Sequence, residues 1–276
     1  MSKFSHKDYI KFSCPICNEI PNPIFNMKDR FNILIYISIC PNDGLIFLNP
    51  RWTNEQYKKY YADEYDTMKR KHIFKEVKPN RKMYKHGRSI FKCVKKYCRH
   101  PKSIIDIGAG NGYTLDFLKD VYKVNTYFIE PSIECQKQLK ERGHILTEFN
   151  TNIKFDLLTS RHVLEHINDP IQHLKDIRLL MNDDSLLHIS FPNAKNMISG
   201  WFQNPHIYYF DEETFNLIIQ KVGLKMIICK NDKTELWYLL KKIEQLDNIK
   251  DGLNYDEQVK KVMMATKIKK WKIEMI

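Results

Sequence analysis

Glycine is scarce in this chain, nine in 276 residues, and other shortages narrow its class as quickly. The longest apolar run, FNILIYISIC, is about ten residues. That is half of the roughly 20 needed to cross a bilayer, so it reads as a buried strand. The opening MSKFSHKDYIKFSC lacks the apolar stretch of a secretory signal, and the expectation is a soluble, cytoplasmic protein with no membrane span. No low-complexity tract or internal repeat interrupts the chain. Apolar runs recur from end to end, so nothing reads as disordered. The seven cysteines are odd in number, which argues for reduced thiols rather than a disulfide framework. Acid is almost missing between Lys69 and Lys102, where fourteen Lys or Arg stand against Glu76 alone. This segment accounts for the whole net charge of +12. It reads either as a solvated helical face or as a surface that holds an anionic substrate.

With 43% hydrophobic and 12% aromatic residues there is material for one substantial core and a smaller satellite. Residues 1–52 read as a small strand-rich module, and 53–100 as a helical lid or linker with Thr53 and Gln56 in capping positions. From Lys102 strand and helix alternate. SIIDIG, NTYFIEP, HILTEF, KFDLLTS and DSLLHISFP read as strands. GYTLDFLKDV, IECQKQLKERG, DPIQHLKDIRLLM and DEETFNLIIQKVG read as helices, the last capped by Asp211 and stopped by Gly223. LKMIICK and TELWYLLKK follow as a hairpin, then a basic helical tail over 244–276. The alternation specifies an α/β fold over 101–243: a doubly wound, mostly parallel sheet closed by an antiparallel hairpin.

The turn in SIIDIGAGNGYTLDFL follows the first buried strand and precedes a helix, where exposed N–H groups and the helix N-terminus favour an electron-rich ligand. Gly108, Gly110 and Gly112 form G-x-G-x-G. A dinucleotide fingerprint needs glycine at position 113, and this chain has Tyr113. Asp106 lies within the strand beneath the turn, and Glu130 ends the second strand where an acid can accept hydrogen bonds from ribose hydroxyls.

Together these features resemble the cofactor site of the class I S-adenosylmethionine-dependent methyltransferases. FDLLTSRHVLEHINDP, HISFPN and HIYYFDEETFNLIIQKVGL resemble later blocks of the same family in the same order. DGLIFLNPRWTNEQYKKYYADEYD resembles the substrate-side lid of its sugar-modifying subgroup. The resemblance implies a Rossmann-like fold and S-adenosylmethionine as cofactor. It implies cofactor contacts from Asp106, Gly108, Ala109, Gly110, Gly112, Glu130, Pro131, Ser160 and Arg161.

Within that frame His162-Val-Leu-Glu165-His166 is ambiguous, because H-x-x-E-H is also a zinc-peptidase spacing. A peptidase would carry the motif on one long helix and add a downstream ligand, and the break at NDP provides neither. The string is read as a strand-to-helix junction, with Glu165 and His166 opening the helix. His162, at a strand end facing the ligand crevice, and His206, in the segment that lies over the acceptor in the family, are the candidate bases. A capping or cofactor-shaping role for His162 stands beside that one, and an anionic acceptor oxygen would need no base.

Cys14-Pro-Ile-Cys17 and Cys40-Pro-Asn-Asp43 have the shape of two metal knuckles. Related methyltransferases often carry C-x-x-C twice here as a zinc ribbon. Cys14, Cys17, Cys40 and Asp43 could hold structural zinc, or the loss of one thiolate could mark a module that folds without metal. The remaining cysteines, Cys93, Cys98, Cys135 and Cys229, are scattered.

The expected activity is O-methylation of a small, phosphate-bearing acceptor, such as a nucleotide-linked or phosphorylated sugar of a surface glycan. RNA methylation is the alternative enzyme reading. The sequence SRHV stands where N-methylating nucleic-acid enzymes often show N/D-P-P-Y/F, which argues against nucleic acid as partner. A methyltransferase-like binding protein without chemistry is the third reading.

Overall fold

The computed structural model describes residues 9–60, 84–197, 199–232, 234–244 and 255–266. Strands β4 (Ser103–Ile107), β5 (Asn125–Ile129), β6 (Ile145–Leu146), β7 (Phe155–Arg161), β8 (Met181–Pro192), β10 (Leu224–Asn231) and β11 (Glu235–Lys242) form a seven-stranded sheet. Its order is β10-β11-β8-β7-β4-β5-β6. The five inner and edge strands from β8 to β6 are parallel, and β11 runs antiparallel to both β8 and β10. This is the expected mixed α/β sheet with a closing hairpin.

Both faces of the sheet are covered, so its strands are near-continuous apolar runs rather than alternations. Ile104 and Leu157 point into one core, with Leu115, Leu118 and Leu139 from helices α3 (Tyr113–Tyr122) and α4 (Ile133–Glu141). Ile90 and Val94 of α2 (Lys85–Val94) join them. Their neighbours Ile105 and Leu158 point the other way, toward Leu174 and Ile177 of α5 (Pro170–Leu179) and Phe215 of α6 (Glu212–Lys221). One residue of register therefore separates the two cores.

A four-stranded antiparallel sheet, β1-β2-β3-β9, lies on the second core. Its first three strands are β1 (Pro23–Lys28), β2 (Leu34–Ile39) and β3 (Ile46–Leu48). The fourth, β9 (Tyr208–Tyr209), comes from far downstream and pairs with β3 through Ile46 and Phe47. Arg51, 1% exposed, ties the pieces together: its guanidinium donates to the Leu48 carbonyl and the Tyr208 hydroxyl and lies 4.1 Å over the Phe12 ring. The N-terminal strands and the large sheet share one continuous core.

Several local expectations changed. Thr53 and Gln56 do form a reciprocal capping box, but helix α1 is seen over Asn54–Tyr60 only. Residues 61–83, which hold seven of the fourteen Lys and Arg of the basic segment, lie outside the described residues, and α2 stops at Val94. The strand expected at HILTEF shrinks to Ile145–Leu146. Among the described residues it pairs with β5 alone, at the sheet edge, and the chain turns at Phe149–Asn150. In the tail, helix α7 (Tyr255–Thr266) packs back on the body, where Gln258 and Lys261 donate to the buried Asp211 at 2.9 and 2.8 Å. KIKKWKIEMI lies outside the described residues.

No helix among the described residues is long and apolar enough to cross a membrane.

Candidate functional site

Strand order reverses at β4, which has β5 on one side and β7 on the other, and crevices at the carboxyl ends of such strands take ligands. The glycine turn sits there. Gly108, Gly110 and Gly112 have φ of +75°, +52° and +71°, but they serve different ends. A Cβ on Gly108 would come 2.3 Å from Val163 Cγ2, and one on Gly112 would come 2.2 Å from Leu139 Cδ2. Those two glycines let backbone approach its own protein. A Cβ on Gly110 would meet nothing within 4 Å, so the middle glycine alone borders open space.

Glu130 sets the far wall. Its carboxylate accepts from the backbone N–H of Gly110 at 2.8 Å and of Ser132 at 2.9 Å, locking the ends of β4 and β5 together. Two-oxygen carboxylates accept more than two hydrogen bonds, so capacity remains for hydroxyls of a nucleoside. Ala109 is half-buried within the turn, its carbonyl accepting from the Gly112 N–H, while Pro131 is exposed beside Glu130. The Ser160 hydroxyl is buried without a hydrogen-bond partner. The residues present therefore fit a nucleoside-bearing cofactor: an open cradle at Gly110 with a positioned carboxylate.

Asp106 lies below the turn, 4% exposed, and accepts from Thr159 Oγ1 at 2.6 Å. Burial pushes its carboxyl up to about 7, against the Thr159 hydrogen bond and Arg161; Glu130 adds to the rise. The unfolded carboxyl ionises near 4. Between those values the native state holds a proton that the unfolded chain has released, so stability falls as pH rises. Chemical denaturation should show the wild type losing on the order of 2–3 kcal/mol between pH 5 and 7.5 relative to Asp106→Asn. Equal slopes for the two proteins would remove this account of Asp106.

Beyond β7 the chain makes a sharp exit. His162 has φ of +52°, a left-handed conformation costing about 1–2 kcal/mol for a residue with a side chain. Leu164–His166 is a single 3-10 turn, and helix α5 begins only at Pro170, capped by the Asp169 side chain. Glu165 and His166 thus do not open the following helix, because Asn168-Asp169-Pro170 supplies its own cap and start.

The strained turn aims His162 between two carboxylates. Its Nδ1 is 3.1 Å from Glu165 Oε1, and its Nε2 is 3.5 Å from Glu235 Oε1. Burial alone would lower its pKa, but the hydrogen bonds to Glu165 and Glu235 outweigh it and raise the value to about 9. Glu235 is also 3.1 Å from Arg161 Nε and is held down to about 2: burial opposes that shift, and His162 and Arg161 produce it. Held between two carboxylates, His162 is favoured in its protonated form, which argues against a role as base. It is a cation that braces the end of β7 against β11. Arg161 is likewise an ion-pair partner here.

His206 behaves oppositely. Burial, then the neighbouring His166, lower its pKa to about 3, so it is uncharged at pH 7. Its Nε2 lies 2.7 Å from Gln203 Nε2, and its ring stands edge-on to His166 with centroids 4.8 Å apart. Two hydrogen bonds tie this segment to the exit turn: Ile207 N–H to the Glu165 carbonyl at 2.7 Å, and His166 Nδ1 to the Pro205 carbonyl at 2.6 Å. The fold therefore gathers Glu165, His166 and His206, and places His162 beside them.

Sequence reading missed Glu235, which only the β8–β11 pairing brings to β7, and His86 in the first turn of α2. Burial lowers the His86 pKa, and Arg161, Glu235 and His162 are among the charges that act on it. The N-terminal end of the basic helix is therefore within electrostatic range of this site.

Cys14, Cys17, Cys40 and Asp43 do converge, with ligand atoms all within 4.8 Å of one another. Cys17 Sγ is 3.3 Å from Cys40 Sγ, Cys14 Sγ is 3.1 Å from Asp43 Oδ2, and the Ile16 N–H donates to Cys14 Sγ at 3.4 Å. Three sulfurs and a carboxylate at this spacing, with a backbone donor on a sulfur, fit a tetrahedral zinc.

A profile described as a methyltransferase domain matches residues 80–228. Among curated proteins none matches the sequence. Solved structures do match in fold. One is the Burkholderia thailandensis 1,6-didemethyltoxoflavin-N1-methyltransferase with S-adenosylhomocysteine bound, at 16% identity and TM-score 0.53, over 76% of this chain and 96% of that one. Another is the magnesium protoporphyrin IX methyltransferase of Synechocystis PCC 6803, also with S-adenosylhomocysteine, at 14% identity and TM-score 0.52, over 68% of this chain and all of that one. A third is an S-adenosylmethionine-dependent methyltransferase from Clostridium acetobutylicum, at 14% identity and TM-score 0.50, over 67% of this chain and all of the other.

Proposed function

The chain belongs to the methyltransferase domain family, its residues 80–228 matching that domain, and from this premise we propose that it moves a methyl group from S-adenosylmethionine to an oxygen of a small anionic metabolite. Nucleotide-linked or phosphorylated sugars are the acceptor class. The observation that carries the reading is the open space at Gly110 walled by the Glu130 carboxylate. Gly110, Glu130 and the turn between them would hold the nucleoside. The cofactor supplies an activated methyl group on a sulfonium, so the protein has to position the acceptor and help its proton leave.

The anionic character of the acceptor is supported by α2. Between Tyr84 and Lys102 the chain carries Lys85, Arg88, Lys92, Lys95, Lys96, Arg99 and Lys102 without one acid, and His86 at the start of this helix feels the charges of Arg161, Glu235 and His162. The Arg161–His162–Glu165–Glu235 group is two cations against two anions. It therefore contributes orientation rather than net charge. Zinc at Cys14, Cys17, Cys40 and Asp43 would be structural, since four protein ligands leave no open position. It would pin the small sheet whose last strand follows His206 by two residues.

The test is transfer of labelled methyl from S-adenosylmethionine to a panel of nucleotide sugars, sugar phosphates and the matching neutral sugars. The expected result is label on phosphate-bearing compounds, with KM rising at least several-fold when Lys85 and Arg88 are both replaced by Gln. Equal transfer to neutral sugars would remove the anionic requirement. Transfer only to RNA would favour the nucleic-acid alternative.

A further inference from the structure

We propose that Glu165, His166 and His206 form a second metal site, holding a first-row divalent cation with open coordination positions on the acceptor side. The inference deepens the methyl-transfer reading and rests on it for the role of the cation. One ligand atom from each residue lies within 4.8 Å of the others. Two imidazoles and one carboxylate suit zinc, iron(II) or manganese(II) rather than magnesium or calcium, which favour oxygen ligands.

Glu165 supplies an observation independent of spacing. Its side chain is almost wholly buried, one oxygen bonded to His162, and the other, Oε2, has no hydrogen-bond partner. A buried carboxylate oxygen left without a donor is costly, and a cation removes that cost. The histidines are prepared in the same sense. His166 Nδ1 faces the Pro205 carbonyl at 2.6 Å, so that nitrogen carries the proton and the lone pair is on Nε2. Gln203 Oε1 is buried without a partner while Gln203 Nε2 faces His206 Nε2. Turning the amide over pairs that oxygen with a ring N–H and leaves the lone pair of His206 on its other nitrogen. Outer partners of this kind orient histidine ligands around metals.

The peptidase-like spacing is thus half meaningful. Glu165 and His166 act together, but their third partner is His206 and not His162, which faces Glu235. Unlike the cysteine site, three ligands leave room for an acceptor oxygen. The location is apt, since Val163 at the head of the same turn is the residue packed against Gly108. An acceptor hydroxyl on the cation would lose its proton to solvent more readily. Its oxygen would then form a bond to the methyl carbon as the carbon–sulfur bond breaks, leaving neutral S-adenosylhomocysteine. No separate base is then required of His206.

The full-length protein as purified, its cysteine site left as it is, should be titrated with Mn²⁺ while the free-ion electron paramagnetic resonance signal is followed. S-adenosylhomocysteine binding is measured on the same samples by thermal unfolding. One Mn²⁺ per chain is expected. Glu165→Gln and His206→Gln should each weaken binding by about tenfold or more. Should Glu165→Gln fail to fold, His206→Gln decides. Absence of Mn²⁺ binding in protein that still binds S-adenosylhomocysteine overturns the metal site and spares the cofactor reading, as does unchanged binding in both variants. Mn²⁺ bound at these residues without any S-adenosylhomocysteine response would keep the site and overturn its assignment to methyl transfer.

Discussion

Gly110→Arg should fold but lose its response to S-adenosylhomocysteine. In the wild type, ligand at a hundred times its Kd adds about 2.7 kcal/mol to stability, roughly 5–10 °C in Tm for a domain of this size. The variant should show none of it, because the Gly110 Cβ position opens on empty space and a side chain there occupies the cradle. The cost to the fold is confined to the left-handed backbone, about 1 kcal/mol. Gly112→Ala and Gly108→Ala should do the reverse and destabilise the fold itself, since each new methyl would collide with Leu139 or Val163. Glu130→Ala should weaken the response as well, having lost both the carboxylate and the tie to the Gly110 N–H. A full thermal shift in Gly110→Arg would place the cofactor elsewhere.

The second large effect concerns the N-terminal cluster. Cys14 and Cys40 are fully buried and Asp43 nearly so, and structural zinc contributes its binding free energy directly to folding. Cys40→Ser, or removal of metal by a strong chelator, should lower stability by at least about 3 kcal/mol, a drop in Tm of roughly 6–12 °C. The loss should not stay local. β3 pairs with β9, Asn204 N–H donates to Asp29 at 2.9 Å, and Tyr57 donates to the Asn204 carbonyl at 3.1 Å. All of these position the segment carrying His206. Elemental analysis finding no zinc, together with a neutral Cys40→Ser, would mean that the small sheet folds on its apolar strands alone.

The large sheet and the glycine turn were legible because their signals are local. Buried strands alternating with helices, three of which carry side-chain caps at Ser132, Asp169 and Asp211, leave little freedom in topology, and a glycine turn between strand and helix marks its own ligand side. Asp211 with Thr214, and Thr53 with Gln56, cap their helices as their spacing implies. The candidate bases were less legible. A histidine's role depends on what lies within a few ångströms of each ring nitrogen, and for His162 one such partner, Glu235, is 73 residues away in sequence.

By itself, the sequence determined the class of sheet, the order of its elements, the turn at Gly108–Gly112 with Glu130 as its partner, and a cysteine pattern of metal-knuckle spacing. Those are properties of periodicity and short-range geometry, which a chain carries before it folds. Only the tertiary structure decided that, of the three turn glycines, Gly110 faces open space, that His162 lies between Glu165 and Glu235, and that Glu165 and His166 meet His206. It also decided that the small sheet takes its last strand from residues 208–209. Each of these depends on burial and on contacts between distant segments. Charge state and ligand geometry are set by such contacts, not by residue type.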